Sequence, residues 1–211
     1  MTSNTTYYVR AYATNTSGTS YGNETSFTTS LAAGSVYGGG IIGYILVSGD
    51  AGYDANVQHG FIVSSNNLLT PNNSNVNPIG ATWGCAASVA GTLSTLGSGA
   101  NNTALIIASN CATANTAAKL CDNYSVTVNG TTYSDWFLPS PNELRKFYDN
   151  RTAIGNFGGV TCQVYASSAE LPSVPANYYT IYVHESYPGQ FSNALKTDIS
   201  GYVGVRAVRS F

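Results

Sequence analysis

Charged residues are rare in this chain, and that scarcity limits its fold more than any other feature. Asp, Glu, Lys and Arg make up 9% of 211 residues, and the formal net charge is -2. The polar surface must therefore be built mostly from Asn, Ser, Thr, Gly and Tyr, while 43% hydrophobic residues supply a core. That balance is the one expected of a secreted, β-rich protein. No segment gathers Lys or Arg into a stripe able to neutralise phosphates, so nucleic acid and anionic membranes are not expected partners.

The length suits one large domain, or a domain with a small appendage, and either can bury a sufficient core without staples. The longest apolar stretch, Gly40 to Val47, is interrupted by glycine and is too short to cross a bilayer. No direct membrane insertion is expected. Met1-Thr2-Ser3 leads straight into strand-like sequence without a basic-plus-apolar leader, which reads as a boundary inside a longer protein. Cys85, Cys111, Cys121 and Cys162 lie far apart, with no CxxC pair and only two histidines in the chain. Zinc is a poor reading of that set. One or two disulfides in an oxidising compartment, with three possible connectivities, and buried free thiols both remain open.

The stretch from Thr5 to Ala13 alternates β-favouring residues, and Asn15 to Thr19 turns the chain into a second strand ending near Phe27, which predicts a hairpin over residues 1–30. From Gly34 the texture is glycine-rich strand, over Tyr37 to Val47 and again over His59 to Val63. An Asn/Ser/Pro loop follows from Ser64 to Asn77. Asn101-Asn102-Thr103 is positioned to cap a helix running through Ala108, and Ala114 to Cys121 forms a second helical patch.

The clearest local signal is Leu138-Pro139-Ser140-Pro141-Asn142-Glu143-Leu144. There Ser140 is the N-cap, Pro141 the first helical residue, and Glu143 completes a capping box. Leu144, Phe147 and Tyr148 give that helix its apolar face. Beyond Arg151 the chain returns to strands and turns. The class expected is α+β, with two helical regions among irregular antiparallel strands, over a domain spanning 35–211.

The first 29 residues resemble the last two strands of a bacterial fibronectin type III domain. From Tyr37-Gly38-Gly39-Gly40 onward, an ordered set of motifs resembles the C-terminal domain of bacterial collagen-like surface adhesins. The set is His59-Gly60, Trp83-Gly84-Cys85, Asn102-Thr103-Ala104, Ser134-Asp135-Trp136-Phe137-Leu138-Pro139-Ser140, Ser167-Ser168 and Val205-Arg206-Ala207-Val208-Arg209. That family is related to C-type lectins and to formylglycine-generating enzymes. The chain departs from it at Tyr165-Ala166-Ser167-Ser168, where the family carries Tyr-Trp-Ser-Ser, and at Thr180-Ile181, where it carries Ala-Trp.

The resemblance implies a C-type-lectin-like fold. It also implies kinship with ligand-binding proteins of phages and of bacterial or archaeal surfaces that diversity-generating retroelements diversify in their C-terminal segment. The corresponding window here is Tyr165 to Tyr202. Within it Ala166, Ala169, Leu171, Tyr178, Tyr179, Tyr182, His184, Glu185, Tyr187, Gln190, Phe191, Asn193 and Tyr202 are the expected variable, ligand-binding face. Aromatic anchors mixed with short hydrogen-bonding groups are what antibody paratopes use.

Catalysis is not expected. His184 and Glu185 are adjacent and point to opposite faces of a strand, with no nucleophile motif nearby. His59 reads as a satisfied, partly buried histidine. Ser140-Pro141-Asn142 is better explained as a helix start than as a calcium-lectin loop, because a hard cation needs several clustered oxygen ligands. None of the cysteines sits in a catalytic context, and no cofactor or metal is implied. The reading is a ligand-binding protein displayed outside the cell, on a cell or virion surface, whose partner is a protein or glycan on another cell or surface. The alternatives are a fixed adhesin for a glycan or host, and a structural tip or oligomerisation module.

Overall fold

In the computed structural model, which describes residues 1, 4–68, 81–110, 115–155, 157, 164–183, 189–198 and 203–211, the chain opens as a hairpin broken in its middle. Its four strands are β1 (Thr6–Val9), β2 (Tyr12–Asn15), β3 (Gly18–Tyr21) and β4 (Thr25–Thr28). β2 and β3 pair as the tip, β1 and β4 as the stem. Thr16 and Ser17 make the turn, with Ser17 N donating to Asn15 Oδ1 at 2.8 Å. Gly18 follows at φ +131°, a conformation that side-chain-bearing residues avoid. Tyr8, Tyr12 and Tyr21 are exposed on this ribbon. Its link to the main body is Leu31, held by two hydrogen bonds to the Gln58 side-chain amide and packed on the core.

The main body runs β5 (Val36–Tyr37), β6 (Gly40–Ile45), β7 (Gly60–Val63), α1 (Gly99–Ala108), α2 (Ala117–Asp122), β8 (Val126–Val128), β9 (Thr131–Tyr133), α3 (Pro141–Asp149), α4 (Arg151–Ile154), β10 (Val164–Leu171), β11 (Val174–Tyr182), β12 (Phe191–Leu195), β13 (Val203–Gly204) and β14 (Val208–Ser210). It is α+β. Two four-stranded sheets, ordered β14-β7-β6-β5 and β12-β11-β10-β13, carry it, and all their pairings are antiparallel except β10 with β13. The helices fall into two stretches, α1 with α2 and α3 with α4.

Central strands are buried on both faces, which is why Gly60-Phe61-Ile62-Val63 reads as a continuous apolar run and not as an alternation. Ile62, Ala166 and Tyr178 face one core with Trp83, Ile106, Trp136 and Leu138. Phe61, Val63, Tyr165 and Ile181 face a second, built with Leu144, Phe147 and Tyr148 of α3. Gly43 lets α3 approach: a Cβ there would lie 2.6 Å from the Phe147 ring.

Ser140 and Glu143 form the capping box, with Pro141 in the first turn. Glu143 does more than the sequence suggested: its carboxylate also accepts from Gly97 N at 2.9 Å and Gly99 N at 3.2 Å, so one buried acid holds the N-termini of both α1 and α3. α1 therefore begins at Gly99, not after Asn101 as expected. Its N-cap Ser98 makes no side-chain cap, and Asn102 is an interior helix residue that bonds outward to Leu93. α2 is shorter than its sequence patch and is capped by Thr116. Three elements differ from the sequence expectation, the first being α4, a single helical turn at Arg151–Ile154 where strands and turns are expected. The β8–β9 hairpin turns on Asn129 (φ +51°) and Gly130 (φ +82°), the type I′ signature that Val128-Asn129-Gly130-Thr131 already spells. β12 is a strand paired to β11 where the sequence offers only candidate binding groups.

Candidate ligand-binding face

The sheet β12-β11-β10-β13 is anchored from beneath by residues of the sequence motifs. Between Ala166 and Glu170 the β10 ladder shifts register against β11, and the freed backbone of Ser167 and Ser168 bonds elsewhere. Ser167 O accepts from Trp83 Nε1 at 2.7 Å, Ser168 N donates to Pro139 O at 2.8 Å, and Ser168 Oγ accepts from Asn102 Nδ2 at 3.0 Å. The Ser-Ser, Trp-Gly-Cys and Asn-Thr-Ala motifs thus meet at one place. The closing Val-Arg-Ala-Val-Arg segment is tied in the same way. Buried Arg206 donates to Ser64 O and Ser65 O, and Arg209 forms a bidentate pair with Asp135 of the Ser-Asp-Trp motif.

A second layer sits directly under β11 and β12. Trp83 stacks on Tyr178 with ring centroids 5.7 Å apart, and Lys196 lies over the indole at 4.7 Å. Lys196 is buried, pairs with Glu170 and donates to Ala87 O at 2.9 Å. Glu170 also accepts from Val89 N and from Ser88 Oγ. Burial, with Asp198 nearby, pushes the Tyr178 hydroxyl well above the ordinary tyrosine range. A satisfied buried network of this kind holds the strands above it in one geometry.

Above this layer lies the part of the expected face that reaches solvent. Cross-strand pairing sets Tyr179 opposite Asn193 and Ile181 opposite Phe191. The Tyr179 and Phe191 rings meet edge to face, 6.4 Å apart. Gln190, Phe191 and Asn193 are exposed, and Leu171 and Tyr179 are partly so. Tyr182 is partly exposed too, but the two-residue period puts it on the side of Tyr178, paired with Val164, and not beside Tyr179. The strand alternation adds one group that the sequence reading left out. Leu195 is exposed on the same side, opposite Asn177, whose amide donates to Asn193 Oδ1 at 2.6 Å.

Three expected face residues are corrected by their burial. Ala166, Ala169 and Tyr178 are each 1% exposed and lie within or against the core. The reason is the period of two: in β11, Tyr178 points down at Trp83 while its neighbour Tyr179 points up. His184, Glu185, Tyr187 and Tyr202 lie outside the described residues. His59 is partly buried, with Nδ1 3.2 Å from Phe211 O. Cys85 is disulfide-bonded, and Cys121 is a buried free thiol whose pKa burial raises. Ser140-Pro141-Asn142 is the start of α3, with Asn142 N bonded to Ser94 O.

No protein-family model, curated protein or solved structure matches this chain.

Proposed function

We propose that this chain is a ligand-binding protein of C-type-lectin-like architecture, displayed on a cell or virion surface, and that its C-terminal segment is the variable region of a diversity-generating retroelement. Recognition is non-covalent, through the solvent-facing side of β11 and β12. The observation that carries the reading is the contrast between two layers of one sheet. Tyr179, Phe191, Asn193 and Leu195 form an uncharged aromatic, apolar and amide surface, while the layer beneath is locked by Trp83, Tyr178, Lys196 and Glu170. Such a support lets side chains on top change without loss of the scaffold and limits the entropy lost on binding. The Cys85 disulfide agrees with an oxidising, extracellular setting.

The test is sequencing of the C-terminal coding region across a natural population. The expected result is substitution concentrated at adenines in the codons of Tyr179, Gln190, Phe191 and Asn193, with Ala166, Ala169, Tyr178 and Val205 to Phe211 constant. A uniform sequence removes diversification and leaves a fixed adhesin. Variation spread equally over buried and exposed codons removes the face.

A further inference from the structure

A cleft of about 460 Å³ lies away from β11 and β12, between the β5–β6 turn and the β8–β9 hairpin. Its walls include Tyr37 and Val36 on one side and Val128, Asn129, Thr131 and Tyr133 on the other. The floor is the Gly38-Gly39-Gly40 run. There Gly38 and Gly39 take φ of +53° and +86°, and a Cβ on Gly39 would lie within 2.8 Å of both Val126 and Tyr133. Glycine therefore lets the two hairpins come close enough to form one cleft.

Its chemistry is neutral. Among the described residues, no acidic or basic side chain lines it. Arg209, beside the cleft, stands 4.7 Å from the Tyr133 ring centroid and is engaged by both carboxylate oxygens of Asp135 and by Gly38 O. Phosphates, carboxylates and ammonium groups thus find no free counter-charge. The remaining groups are aromatic rings and short polar side chains. Tyr37 is fixed edge to face on Phe211 at 5.4 Å yet remains 37% exposed, and Asn129 and Thr131 are exposed on the hairpin. The size is in the usual range for small-ligand sites.

We infer that this cleft is a binding site for a neutral saccharide of one or two pyranose units. A pyranose has an apolar C–H face, which the exposed part of the Tyr37 ring can cover, and a rim of hydroxyls, which Asn129 and Thr131 can hydrogen-bond. The site is separate from the face proposed above and does not depend on it.

The test is titration of the whole chain with maltose, cellobiose, lactose and chitobiose, followed by ligand-observed NMR and calorimetry. The variants are Tyr37→Ala, Thr131→Val and Phe191→Ser. The expected result is millimolar or tighter binding of at least one sugar, weakened about tenfold by Tyr37→Ala, the scale of one aromatic contact. Thr131→Val, a near-isosteric change at an exposed position, should weaken it severalfold, and Phe191→Ser should leave it unchanged. Absence of binding by all four sugars at 20 mM overturns the inference. So does binding that Phe191→Ser abolishes while the two cleft variants keep it.

Discussion

Glu143 is the residue on which most local structure converges. Burial raises its carboxyl pKa to about 7, against the pull of the backbone N–H groups of Ser140, Gly97 and Gly99. In the unfolded chain the same group titrates near its ordinary 4.5. The folded state therefore keeps a proton that the unfolded state has released between those values, and stability falls as pH rises from about 4.5 to 7, then levels off. The total effect is about 3 kcal/mol, read as a declining urea midpoint across that window. In Glu143→Gln the decline should vanish. Asp135, held below its usual value by Arg209, acts with the opposite sign and at lower pH, where protonation removes its contribution. Lys196 and Glu170 differ from such surface pairs because both are buried, so each depends on the other to remain in the core as an ion.

At the scale of elements, α3 is placed by two separate devices. Its start comes from Ser140, Pro141 and Glu143, which are adjacent in sequence. Its distance from β6 is set by a glycine almost a hundred residues away: Gly43 stands where any side chain would enter the Phe147 ring. Gly43→Ala should destabilise the protein by about 1–3 kcal/mol through overpacking, measured by chemical denaturation. Shortening the obstructing side chain in Gly43→Ala/Phe147→Leu should recover part of that loss, an outcome that simple loss of backbone freedom at Gly43 would not produce. The same dependence on distant partners explains the start of α1. Its own Ser98 supplies no side-chain cap, and Glu143 takes over that task from another helix.

At the scale of the molecule, residues 1–29 and the main body stand on different footings. The ribbon has only short strands with exposed aromatics, too little for an independent core, whereas the body has two cores. Removing residues 1–29 should shift the Tm by no more than about 3 °C, checked by differential scanning calorimetry; a larger drop would mean that the ribbon supports the body. Much of this organisation was legible in the chain itself. The hairpin, the capped α3, the glycine-rich strands and the α+β class follow from turn chemistry, capping residues and periodicity, which act over a few neighbouring residues. The type I′ turn at Asn129-Gly130 is equally legible, because Asn-Gly tolerates positive φ at both central positions. Tertiary structure alone decided which tyrosine faces out. Tyr178 and Tyr179 are chemically identical neighbours, and only the pairing of β11 with β10 and β12 sends one onto Trp83 and leaves the other beside Phe191. Burial is a property of what packs above and below a strand, and those partners here come from positions nearly a hundred residues apart.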